Sequence, residues 1–299
     1  MSNLIWYGDC RTVLRTFAAM GLQANTCVTS PPYFGLRDYG HEGQLGLEQT
    51  PESYIANLVE VFRCVRDVLR DDGTLWVNIG DSYARNPAKG TTGTPNGRNI
   101  AEMGYSGGGG IPPGVKEKDL IGIPWMLAFA LRADGWYLRQ EIIWAKPNPM
   151  PESVKDRCTK SHEQIFLLSK SPRYYFNHEA IKEPAKWERW GNQTVKKEQQ
   201  GTAKWIGDKS KEELQAMGKK NKRDVWMVAT RPYKGAHFAT FPPSLIEPCI
   251  LAGSPLGGVV LDPFMGSGTT AAVAKQHGRQ YLGCELNPEY RTLIEERLK

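Results

Sequence analysis

Two short motifs, far apart in the chain, carry residue types that could position a nucleotide-like ligand and a polar amino group. The first runs from Asp262 to Thr270 and places Gly266 and Gly268 between a predicted strand and a predicted helix. Glycines allow a tight turn close to a ligand, and the helix N-terminus offers free N–H donors. Glu285 follows the next predicted strand and can accept hydrogen bonds from ribose hydroxyls. This spacing predicts a nucleotide-binding turn, although a strand–helix turn without a ligand would have the same pattern.

The second motif is Ser30-Pro31-Pro32-Tyr33, directly after a predicted buried strand. Prolines fix the backbone and remove N–H donors, so this loop presents rigid carbonyl groups. The exocyclic amino nitrogen of a nucleobase is a poor nucleophile because its lone pair is delocalised into the ring. Two acceptors, the Ser30 side chain and the Pro31 carbonyl, would favour a tetrahedral nitrogen, and Tyr33 could stack on the base. Taken alone, the motif could also be a stiff turn without chemistry.

Together the two motifs resemble those of the β-class amino-group DNA methyltransferases, in which the catalytic motif precedes the cofactor motif. In that family the catalytic motif reads Asp/Asn/Ser-Pro-Pro-Tyr/Phe, and the cofactor motif contains Asp-Pro-Phe-x-Gly-x-Gly-Thr-Thr. Residues 30–33 and 262–270 match both motifs in that order. Further similar segments extend the resemblance over most of the chain: Lys118–Trp125, Ile143–Asn148, His162-Glu163, Asp224–Trp226 and His237–Pro242. The resemblance implies S-adenosylmethionine as the cofactor and double-stranded DNA as the partner.

The resemblance also implies a set of residues that bind S-adenosylmethionine: Asp9, Thr240, Pro242, Asp262, Phe264, Gly266, Gly268, Thr269 and Glu285. The glycine-rich motif would line the methionine part, Glu285 would bind the ribose, and Asp9 would lie near the adenine. Thr240 and Pro242 belong to a segment that would close over the methionine end. The residues alone, without the resemblance, support only the two glycines and Glu285.

By the same resemblance, Ser30, Pro31, Pro32 and Tyr33 are the expected catalytic residues. They would direct the methyl group straight to adenine N6 or cytosine N4 of a base that has left the duplex. Ser at the first motif position leans toward cytosine in this family. Because a hydroxyl and a carboxylate can both accept an amino N–H, the residues leave the choice of base open.

Four alternatives compete with this interpretation, and one of them, an RNA substrate, is disfavoured by the resemblance over most of the chain. Cys249 follows a proline, as does the nucleophile of cytosine-C5 methyltransferases, but its apolar, helix-like surroundings predict a packing residue. A catalytically silent DNA-binding protein on the same fold would not need the acceptors of Ser30–Tyr33. A nicotinamide-dependent oxidoreductase would use the glycine turn and Glu285, but it would leave the Pro-Pro-Tyr motif unexplained.

The elements around the motifs predict an α/β fold, and the resemblance implies that it is of the S-adenosylmethionine-dependent methyltransferase type with circularly permuted motif order. Its sheet would be mixed, mostly parallel and twisted, with helices on both faces. The predicted strands are 4–7, 26–29, 74–79, 137–145, 163–168, 258–261 and 281–284, and the predicted helices are 51–69, about 124–133, 269–277 and 288–298. Gly73 is the expected stop after the first of these helices, and 137–145 and 163–168 are expected to be antiparallel neighbours.

Two irregular zones interrupt this pattern. Residues 85–117 are rich in glycine and are expected to form a mobile loop. Residues 181–225 hold many Lys and Arg residues with interleaved Trp, which is typical of phosphate contacts combined with packing or stacking. A solvated charged surface segment would have the same composition, but the zone lies where the family that the chain resembles carries its target-recognition region. The resemblance therefore implies a catalytic domain, 1–180 and 226–299, with a basic target-recognition region inserted at 181–225.

The bulk composition sets limits on this interpretation. The net charge of +6 is a weak sign of a polyanionic partner, and 40% hydrophobic with 23% charged residues is ordinary for a globular protein. The absence of a signal-peptide pattern and of a long apolar run predicts a cytoplasmic protein without membrane contact. The six cysteines are scattered without a Cys-x-x-Cys pair, so reduced thiols and no metal are expected. A homodimer is an option because members of the family often pair.

Overall fold

The computed structural model describes residues 3–36, 38, 40–41, 43–84, 111–184, 218–230 and 241–299. The chain divides into two compact units, the larger made of Met1–Phe176 with Asp224–Lys299 and the smaller of Asn177–Arg223. Most of the expected mobile loop and most of the basic zone lie outside the described residues. The DNA-recognition role of the 181–225 insertion therefore stays a prediction.

The strands, in chain order, are β1 (Leu4–Tyr7), β2 (Ala24–Thr29), β3 (Leu69–Ile79), β4 (Tyr137–Ala145), β5 (His162–Ser169), β6 (Glu183–Pro184), β7 (Lys219–Lys220), β8 (Val225–Met227), β9 (Val259–Asp262) and β10 (Gln280–Glu285). The helices are α1 (Cys10–Ala19), α2 (Pro51–Val68), α3 (Ile123–Ala133), α4 (Pro243–Gly253), α5 (Thr269–Gln276) and α6 (Tyr290–Arg297). Apart from the start of β3, the predicted strands and helices lie within two residues of the observed ones.

The larger unit is built on an eight-stranded sheet in the order β1-β10-β9-β2-β3-β5-β4-β8. All of its neighbouring strands are parallel except β5, which is antiparallel to both β3 and β4. Helix α2 packs against α1 and α3, while α4 packs against α5, so two helical groups flank the sheet. The expected mixed, mostly parallel α/β fold, with 137–145 and 163–168 as antiparallel neighbours, is confirmed.

The pairing of β2 with β9 decides where the two sequence motifs lie. The strands are parallel neighbours, with Thr26 opposite Val260 and Cys27 opposite Leu261. The catalytic motif begins directly after β2, and the cofactor motif begins at the last residue of β9. Because parallel strands end at the same edge of a sheet, the two motifs start side by side.

Helix α2 shows why the local sequence folds as it does. Thr50 caps its N-terminus by accepting a hydrogen bond from the Ser53 N–H at 3.1 Å, and Pro51 occupies the first turn. The expected stop at Gly73 is wrong, because the helix ends at Val68 and Gly73 lies inside β3. Leu69 is buried and takes an extended conformation, so the chain enters the sheet without an intervening turn.

Helix α1 was not predicted from the sequence. Its buried residues are Cys10, Val13, Leu14 and Phe17, which is helical spacing. Asp9 caps its N-terminus, since the Asp9 side chain accepts hydrogen bonds from the N–H groups of the first turn. The same short segment thus ends β1, starts α1 and contributes Asp9 to the edge of the sheet where the motifs meet.

The described part of the smaller unit is short. It contains a 3₁₀ helix, Glu179–Ile181, and the antiparallel pair β6–β7. Glu183 pairs with Lys220 at 3.3 Å and with Arg223 at 2.5 Å. Both partners are basic residues of the insertion, and this carboxylate neutralises part of their charge.

Candidate active site

A cavity of about 360 Å³ lies at the sheet edge where β2, β9 and β10 end. This volume falls within the roughly 300–1,000 Å³ that is usual for small-molecule sites. Ten of the expected site residues line it: Asp9, Ser30, Pro31, Pro32, Tyr33, Asp262, Phe264, Gly266, Thr269 and Glu285. Gly268 and Pro242 are absent from its wall, and Thr240 lies outside the described residues. The cavity therefore brings both sequence motifs together.

The glycine-rich turn is shaped by backbone hydrogen bonds. Gly266 has a φ of +55° and Gly268 a φ of +80°, both in the left-handed region that favours glycine. The Met265 N–H donates to the Cys284 carbonyl at 2.8 Å, which joins the turn to β10. Gly268 then caps α5, whose first residue, Thr269, faces the cavity. The result is a turn that exposes main-chain atoms and the positive end of a short helix.

Glu285 is the buried acid of this half of the cavity. One of its carboxylate oxygens accepts from the Gly266 N–H at 2.6 Å, and the other accepts from the Asn287 N–H at 2.8 Å. Burial raises the pKa of Glu285 to about 7 despite these hydrogen bonds. Each oxygen keeps further acceptor capacity, so the carboxylate can bind two neighbouring hydroxyl groups of a ribose.

Asp262 is engaged within the protein. Its carboxylate accepts from the hydroxyls of Thr29 and Thr270, each at 2.6 Å, and from the Phe264 N–H at 3.0 Å. Burial raises its pKa to about 6, while these hydrogen bonds act in the opposite direction. Asp262 thus ties the end of β2 to the end of β9 and to the start of α5. Its expected contact with the methionine part of the cofactor stays a prediction.

Asp9 also has partners within the protein. It accepts from the N–H groups of Arg11 and Thr12 and forms an ion pair with the Arg11 guanidinium at 2.8 Å. Burial alone would raise its pKa, but the hydrogen bonds from Arg11 and Thr12 lower it overall. The carboxylate is therefore an acceptor at the rim of the cavity, consistent with the expected position near an adenine.

The catalytic motif forms another part of the cavity wall. The Tyr54 hydroxyl donates to the Pro32 carbonyl at 2.6 Å and so fixes the middle of the motif against α2. The Tyr33 hydroxyl donates to Glu163 at 2.6 Å. Burial, together with the nearby Glu163 carboxylate, raises the pKa of Tyr33 well above its usual value, so this hydroxyl stays protonated. Ser30 lies half-buried in the cavity wall beside them.

The sequence had given no role to Glu163 and Asn78, which contact the Tyr33 hydroxyl, or to Lys146, which pairs with Glu163. Glu163 is the second residue of β5, Lys146 directly follows β4, and Asn78 is the last but one residue of β3. All three line the cavity. Because β5 is antiparallel, its beginning lies at the edge where the other strands end. The sequence does contain a signal for the ion pair of Lys146 and Glu163. A cation directly follows one strand, and an anion lies at the start of its antiparallel neighbour.

Cys249 takes no part in the cavity. It is buried in α4, with its Sγ 3.9 Å from the Leu245 carbonyl oxygen, as expected of a packing residue. All six cysteines are free thiols. Within the described ranges, no group of His, Cys, Asp and Glu residues could hold a metal ion, and no helix is long and apolar enough to cross a membrane.

Known proteins are similar to this chain in sequence. A family model described as DNA methylase matches residues 24–296. The chain belongs to this family. Its relatives include the Type II methyltransferase M.SmaI of Serratia marcescens, which is 50% identical over 301 residues, covering 97% of this chain and 89% of the relative.

Solved structures agree with the fold. The cytosine-N4-specific PvuII DNA methyltransferase matches with a TM-score of 0.64 at 16% identity, over 100% of this chain and 87% of that one. The protein TTHA0409 from Thermus thermophilus was solved in complex with S-adenosyl-L-methionine. It matches with a TM-score of 0.58 at 25% identity, over 98% of this chain and 92% of that one. The chain has the fold of S-adenosylmethionine-dependent DNA methyltransferases.

The protein is therefore a DNA methyltransferase that uses S-adenosylmethionine to modify an exocyclic amino group, that of adenine or cytosine. Neither a nicotinamide-dependent oxidoreductase nor a silent DNA-binding protein describes it. The cavity fits the cofactor chemically, since Glu285 can accept from ribose hydroxyls and the start of α5 can accommodate a carboxylate.

Proposed function

We propose that one cavity holds the methyl donor against the cofactor motif and the target amino group against the catalytic motif, for direct transfer. The observation that carries the proposal is the hydrogen bond of 2.6 Å between the Thr29 hydroxyl and the Asp262 carboxylate. Thr29 precedes Ser30, and Asp262 starts the glycine-rich motif. The methyl donor and the acceptor nitrogen therefore bind to loops that leave adjacent strands.

On the cofactor side, Glu285 accepts from the ribose hydroxyls, while Phe264 and the Gly266–Thr269 turn surround the methionine part. The positive end of α5 favours the carboxylate of that part. Bound S-adenosylmethionine supplies the methyl group from its sulfonium centre. Asp9 lies toward the adenine, and Thr240 and Pro242 belong to the segment expected over the methionine end.

On the base side, the Ser30 side chain and the Pro31 carbonyl accept the two N–H groups of the target amino nitrogen. This holds the nitrogen in a more tetrahedral geometry and turns its lone pair toward the cofactor side. Pro32 keeps the loop rigid, and the Tyr33 ring stacks on the base after the base has left the duplex. The N–C bond would form as the methyl–sulfur bond of the donor breaks, and the nitrogen would then release one of its two N–H protons to solvent. No covalent intermediate with the protein is required.

Of the two candidate bases, we propose cytosine, methylated at N4. Serine at position 30 leans toward cytosine in the family, and the PvuII enzyme, which shares the fold, is described as cytosine-N4-specific. The alternative is adenine N6, because the hydroxyl of Ser30 could accept from either amino group.

Mass spectrometry of nucleosides tests both parts of this proposal. Unmethylated plasmid DNA is incubated with S-adenosylmethionine and the protein, digested and analysed. We expect N4-methylcytosine with the wild-type protein and a greatly reduced yield with Ser30→Ala. N6-methyladenine would contradict the choice of base and leave direct transfer intact, whereas 5-methylcytosine would contradict the amino-group mechanism itself.

Three further expectations remain predictions. The basic insertion would contact DNA phosphates, two copies of the chain could pair, and the protein would act in the cytoplasm, where its DNA substrate is accessible. The phosphate contacts would be supported by a salt-dependent DNA affinity that weakens when Lys219 and Lys220 are replaced by Ala. Light scattering of the purified protein would decide the second.

A further inference from the structure

Tyr33 is held at two points by residues from other strands. Its hydroxyl donates to one Glu163 oxygen at 2.6 Å and lies 3.4 Å from the Asn78 Oδ1. Its ring lies directly against the backbone at Gly80, where an added Cβ would be 2.7 Å from the ring carbon Cε2. The ring is therefore fixed both at its polar tip and along one edge.

Glu163 is itself held in place by two donors. The Asn78 side-chain N–H donates at 3.2 Å to the oxygen that also receives the Tyr33 hydroxyl, and Lys146 forms an ion pair with the other oxygen. Asn78 is anchored in turn by the Gln164 carbonyl at 3.2 Å. The Lys146 ammonium lies 4.3 Å from the centroid of the Trp144 ring, which gives it a second favourable contact. Both carboxylate oxygens are thus occupied by partners from β3 and the β4 end.

We propose that Glu163 is a positioning residue, which, held by Lys146 and Asn78, fixes the Tyr33 ring as the platform for the target base. The inference rests on the proposed function, since it takes Tyr33 to be the stacking residue. Glu163 acts through the Tyr33 hydroxyl, and Gly80 provides the space that this ring orientation requires.

The physical reason is the freedom of an aromatic side chain. A tyrosine without a partner for its hydroxyl can change its side-chain rotamer into the cavity or swing with the loop that carries it. A displacement of about 1 Å at the reacting centre can lower a rate by roughly 100-fold. A hydrogen bond to a carboxylate is one of the stronger restraints available to a hydroxyl, because the acceptor is charged.

A double-mutant cycle with Tyr33→Phe and Glu163→Gln tests this proposal. Tyr33→Phe keeps the stacking ring and removes the hydroxyl, together with its contacts to Glu163 and to the Ser30 side chain. Glu163→Gln keeps the side-chain shape but replaces one oxygen by an amide nitrogen, which cannot accept from both sets of donors. Single-turnover transfer from tritiated S-adenosylmethionine to unmethylated plasmid DNA is measured at saturating concentrations, together with cofactor affinity and melting temperature.

We expect each single variant to lower the transfer rate about 10- to 100-fold, with cofactor affinity unchanged within about twofold. The double variant should be no slower than the slower single variant, because both changes remove the same restraint. Rate effects that multiply in the double variant would overturn the proposal, since Glu163 would then act on the base independently of Tyr33. Unchanged rates in the single variants would overturn it as well.

Glu152→Gln is the matched control. Glu152 is also a partly buried carboxylate paired with a cation, 2.7 Å from Arg157, but it is absent from the cavity wall. Its transfer rate should stay within about twofold of the wild type. Tyr33→Ala separates this inference from the proposed function: a full transfer rate in that variant would refute the stacking role of Tyr33, whatever Glu163 does.

Gly80→Ala provides a variant that leaves every polar partner in place. Its added methyl group would displace the Tyr33 ring, so we expect a slower transfer rate with unchanged cofactor affinity. In a Tyr33→Ala background the same substitution should have little further effect on the rate. An equal loss in both backgrounds would show that Gly80 acts through the fold and would contradict its role as the support of the ring.

Discussion

The two walls of the cavity are built in different ways. The cofactor wall is nearly continuous in sequence, since β9, the glycine turn, α5 and β10 follow one another from Val259 to Glu285. Its functional groups are largely main-chain atoms and two buried acids, Asp262 and Glu285. The base wall combines residues 30–33 with side chains from the last residues of β3, from just after β4 and from the start of β5. There, a short motif is supported by polar partners far away in sequence.

Because the walls differ in this way, substitutions in one wall should affect a different measured quantity from substitutions in the other. A change in the cofactor wall should act mainly on cofactor affinity, because the turn is a rigid piece of backbone. A change in the base wall should act mainly on the transfer rate, because that wall orients a reacting group. Asp262 connects the two walls through Thr29 and Thr270.

The largest effect is expected from Gly266→Val. A β-branched residue at a φ of +55° is strained, and its side chain would enter the cavity. We expect cofactor affinity to fall by more than about 100-fold in a calorimetric titration, an estimate that corresponds to roughly 3 kcal/mol. Gly257→Val is the control, because Gly257 has a φ of +74° but lies outside the cavity wall. Equal cofactor affinity in the two variants would contradict the separation of the walls.

Ser30→Ala should produce the next largest effect, and it should act on the transfer rate instead of cofactor affinity. Loss of one acceptor for the target amino group should lower the single-turnover transfer rate by about 100-fold. Cofactor affinity should stay within about twofold, because the hydroxyl belongs to the base wall. A variant that lost affinity and kept its rate would assign Ser30 to the cofactor wall instead.

A smaller effect is expected from pH. The pKa of Glu285 is raised to about 7, and the ribose hydroxyls prefer its ionised form, so cofactor affinity should rise with pH through about 7. Between pH 6 and pH 8 we expect about a tenfold gain, as follows from single-site linkage. Titration at the two pH values checks this, and Glu285→Gln should bind weakly with no such dependence. A wild-type affinity that is flat over this range would contradict the role of Glu285.

The raised pKa of Glu285 has the opposite effect on the stability of the ligand-free protein, which falls as pH rises. Because the folded-state pKa of about 7 lies above the ordinary value of 4.5, the contribution of Glu285 is fully present below 4.5 and is lost as pH rises through 7. The burial-raised pKa of Asp262, about 6, acts in the same direction. Denaturant unfolding of Glu285→Gln at pH 5 and pH 8 should therefore show a smaller loss of stability with pH than the wild type.

Cys249→Ala should have the smallest effect on catalysis. The thiol is buried in α4 away from the cavity, so the transfer rate should stay within about twofold. The free energy of unfolding should fall by about 1 kcal/mol from lost packing. A large drop in rate with a normal melting temperature would instead indicate chemistry at this cysteine.

The sequence predicted both motifs but missed the polar side chains that support the base wall, for a physical reason. Strand, glycine turn, helix and acid follow one another locally, so spacing alone indicates Gly266 and Glu285. The link between Tyr33 and Glu163 depends on β5 being antiparallel, which reverses the end of the strand that reaches the cavity. The sequence predicts that β5 is antiparallel to β4, but it does not indicate that β5 also pairs with β3 or that Glu163 meets the loop of Tyr33.

At two positions, Gly73 and Asp9, the residue type fits two structural roles, and packing in the folded chain decides between them. Gly73 is a good helix stop by type, but Leu69 is buried against the core and already starts β3, so the helix ends earlier. Asp9 is expected near the ligand, and it also holds the first turn of α1 and pairs with Arg11. In both places the local residue types fit two roles, and packing decides what each residue does in the folded chain.

Transfer of a stereochemically labelled methyl group tests the central claim, that the two walls pass a methyl group directly across one cavity. S-adenosylmethionine with a methyl group chiral by hydrogen, deuterium and tritium is used to methylate DNA, and the configuration of the methyl group in the isolated nucleoside is determined. Direct attack by the target nitrogen predicts inversion of configuration. Retention would require an intermediate methylated protein residue and would contradict the account.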